Sequence, residues 1–134
     1  MAELLEMDAA SFTTDVTLTT TTETVLVSSP RITIPKDATR IVVWGYGQLT
    51  TGAGTTAVTP RIRRGAAITD ALVGLATAEN VKAAAGSTEA FFLLVAEELG
   101  ARDSVRYSFT LQQTAATGNG TALQGTIAVF VLSG

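Results

Sequence analysis

SVRYSFTLQQTAATGNGTALQGTIAVFVL, residues Ser104 to Leu132, decides the fold. In its first ten positions Val105, Tyr107, Phe109 and Leu111 alternate with Arg106, Ser108, Thr110 and Gln112, the period of a half-buried strand. That pattern predicts one face in a core and the other in solvent. Thr114–Thr121 follows as small, turn-forming residues, and its Asn119-Gly120 pair tolerates the positive φ angles of a tight hairpin turn. The expectation is a β-hairpin. From Leu123 onward, Leu123, Ile127, Val129 and Val131 share one side while Ala128, Phe130 and Leu132 share the other. A strand apolar on both faces must be covered twice, by its own core and by another layer or another subunit. Ala128, Phe130 and Leu132 are therefore expected to form an oligomer interface.

The rest of the chain follows the same periodicity. Thr39–Thr50 is a second strand apolar on both sides, with Ile41, Val43 and Leu49 opposed to Val42, Trp44 and Tyr46. Gly45 and Gly47 leave gaps on the Ile41 face, where another segment can approach closely. Phe12–Leu18, Glu23–Ser28, Ile32–Ile34, Ala57–Arg64, Ala71–Ala78 and Thr88–Val95 read as further strands, separated by Pro, Gly and charged turns. Ala78–Gly86 has the composition of a single helical turn with a Gly stop. Thr occurs 23 times and Val and Ile together 18 times, so branched residues that suit pleated sheets dominate. About eight strands at this spacing predict an all-β protein, an antiparallel β-sandwich of the eight-stranded jelly-roll type, with an immunoglobulin-like sandwich as the second choice.

Domain organisation is read as residues 1–12, an N-terminal arm, and residues 13–134, one β-sandwich domain. The first ten residues set Leu4, Leu5 and Met7 among Glu3, Glu6 and Asp8, and could form one or two helical turns against a partner. They carry acids where a secretion signal needs positive charge, and no segment has the roughly 20 apolar residues of a membrane-spanning helix.

Chemistry is constrained by what is missing. The chain has no Cys and no His, which removes disulfides, thiolate and imidazole metal ligands, and a His general base. No enzyme activity, cofactor or metal is expected. A net charge of −3 argues against binding nucleic acid by phosphate neutralisation. Arg61, Arg63 and Arg64 form the densest positive cluster and are read as a solvated edge or a polar contact with an acidic partner surface. Glu97, Glu98, Arg102 and Asp103 read as a charged loop. GYGQLTTGAG, Gly45–Gly54, lacks the Lys and helix start of a phosphate loop, and Asn119-Gly120-Thr121 is explained by its turn.

Three stretches, ITIPKDATRIVVWGYGQL (Ile32–Leu49), TPRIRRG (Thr59–Gly65) and VRYSFTLQQTAATGNGTALQGTIAVFVL (Val105–Leu132), cover about two-fifths of the chain. Their alternation and turn placement resemble small virion proteins of tailed bacteriophages, the jelly-roll or tumour-necrosis-factor-like proteins that decorate or cement capsids. The resemblance implies a homotrimer on the capsid surface, assembled in the host cytoplasm, with the major capsid protein as partner and neither nucleic acid nor membrane bound. It also implies that the arm, through Leu4, Leu5, Met7 and Phe12, grips the shell. The alternative function is a receptor- or glycan-binding fibre or tail module using the loops Thr51–Thr56 and Thr114–Thr121.

Overall fold

A computed structural model describes residues 3–18, 20–51, 55–73, 81–84, 86–98, 103–114 and 120–134. Twelve strands run in the order β1 (Glu3–Phe12), β2 (Val16–Thr17), β3 (Thr24–Ser28), β4 (Ile32–Thr33), β5 (Ala38–Thr51), β6 (Thr55–Arg64), β7 (Ala71–Leu72), β8 (Val81–Ala84), β9 (Thr88–Glu98), β10 (Ser104–Val105), β11 (Tyr107–Gln113) and β12 (Gly120–Ser133). Every pairing is antiparallel, and the described residues contain no helix. One sheet has the order β1-β12-β5-β9, with β2 also on β12. The other has the order β3-β11-β6-β7, with β8 also on β6, and β4 pairs with β10 apart from both.

The two strands read as apolar on both faces, β12 and β5, lie side by side at the centre of the first sheet. Their inward residues Ile41, Val43, Leu49, Ile127, Val129 and Val131 are fully buried, and they share one core with Val58, Ile62, Tyr107, Phe109 and Leu111 of the second sheet. At Gly45 and Gly47 the missing side chains are replaced by rings. A Cβ on Gly45 would sit 2.7 Å from the Phe109 ring, and one on Gly47 would overlap Phe91. Phe91 and Phe109 pack on each other with centroids 5.7 Å apart, so neither ring is free to withdraw. Gly45→Ala is therefore expected to cost about 1–3 kcal/mol by overpacking. Urea denaturation reads this as a lower midpoint at unchanged slope, and an unmoved midpoint would contradict the close approach.

Four sequence expectations are corrected. Ser104–Leu132 is not a hairpin: β11 pairs with β3 and β6, whereas β12 pairs with β1, β2 and β5, so its two halves lie in different sheets. Each half has enough apolar surface to be the centre of its own sheet, which places them in separate layers. The strand itself is broken at Arg106 into β10 and β11, and the proposed turn residues 115–119 lie outside the described residues. The polar face of β11 does not meet solvent, since Ser108 and Thr110 are fully buried. Within Ala78–Gly86, Val81–Ala84 is strand β8 rather than a helical turn, with pairing to β6 outweighing helical propensity; residues 78–80 and 85 lie outside the described set.

The fourth concerns the amino-terminal segment, which is no helical tail. Glu3–Phe12 is β1, an edge strand in register with Gly125–Ser133 of β12 and bulged between Leu4 and Glu6. Ala10 and Phe12 pack on the core, and the Phe12 ring fills the space that Gly125 leaves. Ladder bonds and two partly buried side chains hold the segment where isolated helical turns would fray.

Candidate interaction surface

The outer sides of the two sheets differ in chemistry. On the second sheet, Arg61 and Arg63 project from β6 toward Glu23, in the loop before β3. Arg63 Nε and Nη2 donate to the Glu23 carboxylate at 2.7 and 2.8 Å, Arg61 Nη1 donates to it at 3.3 Å, and Thr110 Oγ1 donates at 2.7 Å. Burial pushes the Glu23 carboxyl up, but the hydrogen bonds from Arg63 and Thr110 and the charges of Arg63 and Arg61 outweigh it and hold the group below its ordinary value. This network is why the polar face of β11 is covered. Ser108 is satisfied beside it by Ser28 and the Gly65 carbonyl.

Arg64 points the other way, into the gap between the sheets, where its guanidinium pairs with Glu97 of β9 and Tyr107 Oη also donates to Glu97. Glu97, expected in a charged loop, is thus a tie between the two layers. Arg102 of that expected loop lies outside the described residues. All three arginines read from the sequence as a polar contact are engaged by carboxylates of their own chain. Their partners were not legible because Glu23 and Glu97 are 38 and 33 positions away in sequence.

The first sheet presents the opposite character. Its register sets the outward side chains in cross-strand rows. Leu94, Trp44, Ala128 and Ala9 form one row, and Ala96, Val42, Phe130 and Met7 the next. Leu132 stands in a third row with Leu4, Arg40 and Glu98. Phe92, Leu94, Leu4 and Met7 are 64, 60, 54 and 51% exposed. Within these rows the charges are Arg40 and Glu98 at one end, 3.5 Å apart in a surface pair. The structure thus brings Phe130 and Leu132, both half-buried, together with the exposed Leu4 and Met7 on one apolar face; Ala128 lies on the same face but is already buried within its own chain. Leu5, at the bulge, and Phe12, partly buried against the core, do not belong to that face. Sequence reasoning missed Phe92 and Leu94: their uninterrupted apolar run, Phe91–Val95, hid which side each residue takes.

No family model matches the chain, and no curated protein matches it in sequence. Solved structures do share its fold. VP2 of infectious bursal disease virus, in its subviral particle, aligns with a TM-score of 0.66 and 11% identity, over 96% of this chain and 34% of that one. A chain of the Gx strain of the same virus gives 0.59 and 10%, over 95% and 32%. The Eiger TNF of S. frugiperda gives 0.48 and 12%, over 93% and 92%. The chain spans about a third of the length of the two viral chains. At these identities the likeness to the two viral chains shows the fold alone, an all-β arrangement of antiparallel sheets. Among the described residues there is no group of three or more acidic side chains placed to hold a metal ion, and no helix long and apolar enough to cross a membrane.

Proposed function

We propose that this chain is a structural virion protein of a phage, a decoration or cement protein that assembles as a homotrimer and binds the major capsid protein at the capsid surface. The observation that carries the reading is the contrast between the two outer faces: one closed by its own ion pairs, the other apolar across four strands. Apolar patches of this kind mark association surfaces. Self-association through Ala128, Phe130 and their row neighbours is the simplest cover, because it needs no other protein. The fold likeness to VP2 from a viral particle supports a shell role, and no catalytic role is assigned.

The strand pairing supports the finer reading of the fold as an eight-stranded jelly roll. Taking β1, β3, β5, β6, β8, β9, β11 and β12 as the eight strands, the first pairs with the last, the second with the seventh, the third with the sixth and the fourth with the fifth. That nested order is an antiparallel ribbon rolled into two layers.

Two experiments test the proposal. Mass spectrometry of purified particles from the phage that carries this gene is expected to find the chain in copy numbers comparable to the coat protein, and its absence from particles would overturn the reading. The amino-terminal contribution to shell binding falls on Leu5, which the bulge sets outside the apolar rows. Burying a leucine contributes about 1.5–3 kcal/mol, so Leu5→Asp is expected to weaken co-sedimentation with capsids at least about tenfold, with oligomer mass unchanged. Unaltered binding would remove β1 from the coat contact.

A further inference from the structure

The ladder between β1 and β12 opens at one point. It ends at the pair Phe12–Gly125 and resumes, through β2, at Val16–Ala122. Between them residues 13–15 arch away, and Leu123 and Gln124 have no strand partner on that side. An open cavity of about 290 Å³ lies in the gap, lined by Ser11, Phe12, Tyr46, Gln124, Gly125 and Thr126 among others. Its position is the polar end of the first sheet's outer face, away from Leu132 and Leu4.

The groups that meet there share one chemistry. Ser11 Oγ and Thr126 Oγ1 are hydrogen-bonded at 2.8 Å, and the Gln124 amide donates to Gln48 Oε1 at 3.1 Å, so hydroxyls and amides are held in fixed positions. Tyr46 supplies an aromatic ring, held by Trp44 at a centroid distance of 6.0 Å and an interplanar angle of 19°. Among the described residues no charged side chain lines the cavity. Fixed hydroxyls and amides beside an aromatic wall, without charge, suit a ligand with many hydroxyls and one apolar face. We infer that this opening binds a neutral hexose unit of a glycan, with Tyr46 against the sugar ring and Ser11, Gln124 and Thr126 on its hydroxyls. The inference stands apart from the shell reading, since it rests on a different end of the face, and it moves glycan contact from the loops expected in sequence to the sheet itself.

Saturation-transfer NMR with the methyl glycosides of glucose, galactose, mannose and N-acetylglucosamine tests it on the full chain. At least one of the four is expected to receive saturation at millimolar concentration. Tyr46→Ala is expected to reduce its affinity about tenfold, from loss of stacking, and Tyr46→Phe to retain most of it. Gln124→Ala, at an exposed position, guards against a folding artefact: it is expected to weaken the sugar while leaving the melting temperature and oligomer mass in place. No transfer to any of the four, or transfer unaltered in Gln124→Ala, overturns the site.

Discussion

Phe130→Asp is expected to convert the proposed oligomer into a single copy of 13.8 kDa. Phe130 stands between Val42 and Met7 at the middle of the apolar rows, so the proposed interface would bury it at its centre. A carboxylate there would be buried opposite apolar groups with no cation in its row. Truncations at such central aromatic positions cost about 2–4 kcal/mol of association, and a buried unpaired charge adds to that. The dissociation constant therefore rises by about 30-fold to 1,000-fold or more. Within one copy the same aspartate can reach solvent, so the variant is expected to stay folded by circular dichroism. Thr33→Asp, at an exposed position on β4 outside the first sheet, is the matched control and keeps the parent mass. Light scattering across micromolar concentrations decides the matter: a monomeric parent chain, or a variant with the parent's mass, defeats the interface.

Where the sequence was legible, it was because side-chain period alone sets the answer. The double apolar alternation of Thr39–Thr50 and Leu123–Leu132 correctly marked two strands central to one sheet, and Gly45 and Gly47 marked a close approach that Phe109 and Phe91 supply. What failed was pairing. Period says which way a side chain faces and nothing about which strand lies alongside, so β11 and β12, adjacent in sequence, were joined although they lie in different layers. The acidic start of the chain was read as helical turns for the same reason: the strand it pairs with, β12, lies more than 110 positions away. Charges were harder still. Arg61 and Arg63 do share a face, as their spacing required, but the carboxylate that faces them, Glu23, was read as the first residue of a strand, and nothing in its spacing pointed to β6.

That carboxylate gives the second large effect. Glu23→Ala is expected to destabilise the fold by about 3 kcal/mol, because removing one partner leaves Arg61 and Arg63, with side chains only 22 and 17% exposed, without the carboxylate that bridges them, and Thr110 with only a long contact to the Arg61 carbonyl at 3.4 Å. Glu23→Gln keeps the shape and an acceptor for Thr110 but removes the charge, and is expected to cost less. The pH dependence separates charge from shape. The Glu23 carboxyl lies below its ordinary value of 4.5 in the folded chain, so the unfolded state takes up a proton first as the solution is acidified. Its contribution is complete above the unfolded value and is lost as pH falls through the lower, folded one. The stability gap between the parent chain and Glu23→Gln should therefore be constant from about pH 7 to pH 5 and close progressively below that. Urea denaturation at a series of pH values measures it directly. A gap that persists unchanged to pH 3 would mean that packing, not the ion pair, fastens the loop over the second sheet; a gap that closes would show that charge keeps this face shut.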